Sequence, residues 1–172
     1  LAKIHDGPSY AVDLLNRGLK LGFIAGTDTH STIAAGYGPE DLNRRPGLTA
    51  VMAESLTRDT VFDAIRTRNC YAAKGERIYL DVDLDASGGN RLITGEAAGQ
   101  SNVETVELVR NGVTIDSQGV ADWHTAFELG DNESPERIAL DSTHMERFVY
   151  YYIRVTCASG AQAWSSPWWI SI

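Results

Sequence analysis

Between residues 78 and 85 apolar and polar side chains alternate, with Ile78, Leu80, Val82 and Leu84 set against Tyr79, Asp81, Asp83 and Asp85. A period of two marks a strand with one covered face. The pattern returns more strongly over 147–157. There Val149, Tyr151, Ile153 and Val155 share one face, and Phe148, Tyr150, Tyr152 and Arg154 share the other. Further strands are predicted at 103–109, 123–129, 162–165 and 168–172. Asn111-Gly112 is the preferred pair for a two-residue hairpin turn. Residues 130–147 are charged and loop-like. Short strands at this spacing, with no helical period among them, predict a small antiparallel β-sandwich (Ig/fibronectin-like) over 78–172.

The first 77 residues follow another rhythm. Val12, Leu14, Leu15 and Leu19 predict a short helix over 9–17, with Gly18 as its stop. Residues 21–25 form a short, nearly unbroken apolar run, as a strand covered on both faces would. Residues 48–53 and 70–73 read as two more such strands. Between them Thr57 caps a helix, with Asp59 favourable in its first turn. Its stripe of Val61, Phe62, Ala64 and Ile65 is predicted to face the core, with Arg58, Asp63, Arg66 and Arg68 outward. Residues 31–47 carry Gly36, Gly38, Pro39, Asn43, Pro46 and Gly47 and predict a long loop. Helices alternating with apolar strands give an α/β unit. The expected division is therefore 1–77 and 78–172.

Composition narrows the functional classes. The chain has 172 residues and a net charge of −8, with no basic run, which argues against nucleic-acid binding. No apolar stretch approaches the ~20 residues of a membrane span. Cys70 and Cys157 are the only cysteines, too few for a disulfide framework. A first residue of Leu1 reads as the start of a piece of a longer protein, whose compartment the sequence leaves open.

The candidate chemistry begins where the 21–25 run ends, at Gly26-Thr27-Asp28-Thr29-His30. In extended backbone, residues two apart point the same way, so Asp28 and His30 can converge as a metal-ligand pair. The same residues also suit a plain turn. Lys74 and Glu54, each near a predicted strand end, are candidates for substrate contact or for supporting the ligands. Glu76 and Arg77 read as a surface pair at the junction. The rings of Trp164, Trp168, Trp169, Tyr150 and Tyr152 suit either core packing or the stacking of a sugar.

The order of these motifs carries a resemblance. Residues 22–30, 45–58 and 66–78, together with Tyr150-Tyr151-Tyr152-Ile153-Arg154-Val155 and Ala163-Trp164-Ser165-Ser166-Pro167-Trp168, resemble the C-terminal end of the PHP (polymerase and histidinol phosphatase) superfamily, in its DUF3604 and CehA-like branch. Lys74 departs from that branch, which often has Thr or Ser there. The resemblance implies that 1–77 is the truncated end of a (β/α) barrel, with the sandwich following. It implies a parent hydrolase that cleaves a phosphoester or a related ester, amide or carbamate of a small molecule. Its divalent metals would be Zn, Mn or Fe, with Asp28 and His30 as the last ligand motif. Most of the ligands lie elsewhere in the parent. The chain alone is expected to bind metal weakly or not at all and to be inactive. The missing N-terminal part, or a second copy, would cover the barrel remnant. A non-catalytic module that binds carbohydrate or protein, or that braces the barrel, is the alternative.

Overall fold

The structure is a computed structural model and describes residues 10–27, 47–87, 89–143 and 145–172. Among them run α1 (Ala11–Asn16), β1 (Gly47–Val51), α2 (Arg58–Arg66), β2 (Cys70–Lys74), β3 (Tyr79–Asp85), β4 (Arg91–Arg110), β5 (Val113–Asp131), α3 (Pro135–Ile138), β6 (Phe148–Cys157), β7 (Gln162–Ser165) and β8 (Trp168–Ser171). Every strand pair is antiparallel. One eight-stranded sheet runs β1-β2-β7-β6-β4-β3, with β5 also on β4 and β8 also on β6.

The sheet curls because β4 and β5 serve both of its ends. The first part of β4, up to Ala98, lies between β3 and the end of β5, whereas its last part, from Val103, lies between β6 and the start of β5. The register slips between these parts. Slips of this kind bend a strand and increase its twist. Gly99 sits there because the chains crowd it. A Cβ on Gly99 would come within 2.5 Å of Ser101 O and 2.9 Å of the Cys157 Sγ. At the far end Asn111 and Gly112 both take positive φ, at 50° and 83°. This is the backbone of a two-residue hairpin turn that follows the strand twist.

The two faces of β6 pack into different layers. Val149, Tyr151, Ile153 and Val155 join Leu80, Ile93, Val106, Phe127 and Ala163 in the concave core. Phe148, Tyr150 and Tyr152 join Leu15, Ala72 and Trp164 on the convex side, under α1 and residues 21–25. Tyr150 and Tyr152 stack at 6.4 Å and 7°. Phe23 meets Tyr152 edge-on at 5.4 Å.

The expected α/β plus all-β fold, with a truncated PHP-type (β/α) barrel remnant before an Ig/fibronectin-like sandwich, is not what forms. β1 and β2 pair antiparallel, and β2 continues through β7 into the same sheet as the later strands. No (β/α) unit with parallel strands occurs among the described residues. The physical reason is that two-sided burial does not require a parallel sheet. β2 is apolar because Tyr71 and Ala73 enter the concave core while Ala72 enters the convex layer. Residues 21–25 are not a strand at all. Their backbone is satisfied by side chains: the Phe23 N–H donates to the Ser166 Oγ at 3.0 Å, and the Ala25 N–H donates to the Thr49 Oγ1 at 3.0 Å. Among the described residues there is also no separate sandwich, since β4 and β5 carry one sheet through the bend.

α2 starts as the sequence predicts. Thr57 forms a capping box, its side chain accepting from the Thr60 N–H. The helix is tied at its base, where the Met52 N–H donates to Asn69 O at 3.0 Å and the Asn69 Nδ2 donates to Met52 O at 2.7 Å. Its apolar stripe, expected against the core, is largely in solvent. Only Ala64 is buried, while Phe62 is 64% exposed and Ile65 45%. Leu56, just before the cap, is 97% exposed.

Candidate functional site

Asp28 and His30, the sequence-predicted metal ligands, lie outside the described residues. The segment leading to them can be followed to Thr27. Thr49 donates its hydroxyl to Ala25 O at 2.8 Å, and a Cβ on Gly47 would come within 2.8 Å of Gly26 O. The segment therefore runs along β1 and ends beside Gly47. Gly47 pairs with Lys74 across the ladder, so Lys74 stands at the end of β1 that the described segment reaches. Glu54 follows the opposite end of β1 and is exposed. The structure thus separates the two candidates by the length of the strand, roughly 17 Å at the usual rise per residue. Among the described residues no three His, Cys, Asp or Glu side chains come together as a metal site.

Glu76 is not a surface residue. It is buried, and its Oε1 accepts from the Ser101 N–H at 3.2 Å and the Ser101 Oγ at 2.9 Å. Arg77 instead donates its backbone N–H to the Gln100 Oε1 at 3.4 Å. Burial first, and then the Glu76 carboxylate, push the Cys157 thiol up to about 12. That thiol is protonated at neutral pH and a poor nucleophile. The Glu76–Ser101–Cys157 group clamps the turn after β2 onto the slip in β4.

A second polar cluster closes the other end of the concave core. Asp131 meets Arg91 at 3.2 Å and Arg110 at 3.0 Å, and accepts the Tyr151 hydroxyl at 2.7 Å. Arg91 also donates to the carbonyls of Gly89 and Glu133. Burial alone would raise the Asp131 carboxyl, but the Glu133 N–H, Tyr151 and Arg110 together hold it below the ordinary range. Every carboxylate oxygen is engaged, so this cluster fastens strands and offers no open position to a ligand.

Of the aromatic set, Tyr150, Tyr152 and Trp164 are buried in the convex layer and serve packing. Trp168 and Trp169 are half-buried and line a cleft of about 890 Å³ between β8, the turn after α2, and β3. Arg68 overlies the Trp169 ring at 5.4 Å. Sequence reasoning put Arg68 on the outer helix face. Nothing local signals its partner, because Trp169 lies at the other end of the chain.

Residues 39–118 match the family described as "Protein of unknown function (DUF3604)". An uncharacterized protein of Chlamydia muridarum (strain MoPn / Nigg) is 32% identical over 182 residues, covering 92% of this chain and 28% of the relative. One of Chlamydia pneumoniae is 32% identical over 185 residues, covering 94% and 28%. One of Chlamydia trachomatis serovar D is 30% identical over 174 residues, covering 92% and 28%. The chain therefore spans less than a third of the length of the curated relatives it matches. No solved structure matches it. The family match thus assigns residues 39–118, just under half of the chain, to the DUF3604 family.

Proposed function

We propose that this chain is the non-catalytic flank of a longer metal-dependent hydrolase, whose other parts cover α2 and supply most of the metal ligands. The observation that carries the reading is the α2 stripe, with Phe62 and Ile65 at 64% and 45% exposure on a helix built to bury them. The relatives, more than three times as long as the matched stretch, contain enough chain to cover it. The occupant is the remaining part of the same polypeptide rather than a second copy.

Support for the hydrolase comes from the resemblance of the Gly22–His30 motif. Asp28 and His30 supply two donors of the kind Zn, Mn or Fe takes, short of the three or four that a working site uses. A metal held there would lower the pKa of its water for attack on a phosphoester, or on a related ester, amide or carbamate. On this reading Lys74 would meet an anionic group on a small-molecule substrate, and Glu54, beyond the other end of β1, would take a supporting role. The chain by itself turns nothing over.

Elemental analysis of the longer protein tests this, with His30→Ala beside it. Bound divalent metal that falls on substitution, together with loss of phosphoesterase activity, supports the proposal. A longer protein without metal removes the hydrolase and leaves the second reading, a bracing module. That reading draws on the tight packing of the sheet on both faces.

A further inference from the structure

The cleft beside β8 has features that neither the packing nor the proposed hydrolase uses. Its volume, about 890 Å³, is in the range of small-molecule sites. One wall carries Arg68, Lys20, Trp168 and Trp169, and the other carries the apolar side chains of Val82 and Leu84 on β3.

Arg68 is held there in an unusual way. It follows α2 with φ at 64°, the left-handed conformation in which a helix usually ends on Gly or Asn. A long side chain at this position is strained in a way that glycine would not be. Its stem packs against Gly22, where an added Cβ would lie 3.1 Å from the Arg68 Cγ. Its guanidinium carbon lies over the Trp169 ring, 5.4 Å from the centroid. Contact with one ring engages only part of the guanidinium and leaves N–H donors for a planar or tetrahedral oxyanion.

Charge makes this arrangement more telling. The chain carries 23 acidic against 15 basic residues. Arg66, Arg91, Arg110, Arg147 and Arg154 each meet a carboxylate. Among the described residues no carboxylate pairs with Arg68 or Lys20 at this cleft. The Asp81 that also lines it is directly opposite Glu96 in the ladder, on the outer face of β3 and β4. The Trp169 Nε1, buried, also meets no acceptor among the described residues. Two cations thus line the cleft with no carboxylate paired to them among the described residues.

We infer that the cleft binds a small organic oxyanion, a carboxylate or phosphate monoester on a flat apolar body, with the anion on Arg68 and Lys20 and the body between Trp168 and the Val82–Leu84 wall. The site stands apart from Asp28 and His30 in chemistry, needs no metal, and does not rest on the hydrolase proposal.

Titration of the metal-free chain with phenyl phosphate, benzoate and inorganic phosphate, followed by tryptophan fluorescence and by calorimetry, tests this. Saturable binding of phenyl phosphate or benzoate, tighter than inorganic phosphate, is expected, and whichever binds tighter identifies the anion type. Arg68→Gly is the decisive variant, because glycine suits the backbone at this position and the protein stays folded. Roughly tenfold weaker binding is expected from the lost charged hydrogen bonds. Arg68→Lys should retain part of the affinity. The inference is overturned if Arg68→Gly binds as tightly as the parent, if no organic anion saturates in the millimolar range, or if inorganic phosphate binds as well as phenyl phosphate.

Discussion

The region around β6 and the region around α2 both carry an apolar stripe at the period of their element, but the stripes end in opposite states. Every apolar side chain on both faces of β6 is buried, with Phe148, Tyr150, Tyr151 and Ile153 at 0% exposure. On α2, nine residues of helix bury a single alanine. The β6 layers are satisfied within this chain: the concave core by the curl of the sheet, the convex side by α1 and residues 21–25. The α2 stripe is not, although its cap and its tie to Met52 are in place. Local signals are enough to form a helix, but only a partner surface can bury its stripe. The contrast separates what this stretch completes alone from what, on the proposal above, another part of the protein covers.

The largest effect is expected where burial is most complete. Asp131→Ala strands the Arg91 charge, with its side chain 2% exposed, and should cost about 4 kcal/mol in denaturant unfolding. The same carboxylate gives the pH dependence its sign. Asp131 is held low as described, and Glu107 is held low first by the Arg154 fork, at 2.6 and 2.7 Å. A carboxyl more acidic in the folded state contributes stability above its unfolded pKa, and this is lost as pH falls through the folded value. Melting temperature should therefore hold steady down to about pH 5 and fall below it. Asp131→Ala should flatten that fall.

Substitutions on α2 should show the reverse. Phe62→Ser with Ile65→Ser should change the stability of this chain by no more than about 0.5 kcal/mol, as exposed positions do. In the longer protein the same pair should cost several times more, read as a lower melting temperature and faster proteolysis. Equal effects in both would mean that nothing covers the helix.

How much of this the sequence shows depends on whether the cause is local. The alternation along β6 survives intact in the structure, because a half-turn per residue fixes which face each side chain takes. Thr57 and Asn111-Gly112 act within a few residues and were legible for the same reason. The run at 21–25 was not, because an apolar segment does not say whether a strand or a side chain will take its hydrogen bonds. The first half of β4, Arg91-Leu92-Ile93-Thr94-Gly95-Glu96-Ala97-Ala98, carries little strand propensity in its small residues. It becomes a strand because β3 and β5 flank it, and crowding requires glycine. At the candidate site, the sequence could propose Asp28, His30, Lys74 and Glu54. Only the β1–β2 register shows that Lys74 and Glu54 lie at opposite ends. Arg68 and Trp169 meet through the fold alone.

The most direct test of the central claim is hydrogen exchange over residues 54–68, in this chain and in the full-length protein. The account predicts shallow protection here beside slow exchange in β6, and a marked slowing over 54–68 when the rest of the polypeptide is present. Unchanged exchange in that segment would contradict it and would return α2 to the solvent-facing helix that it is in this chain.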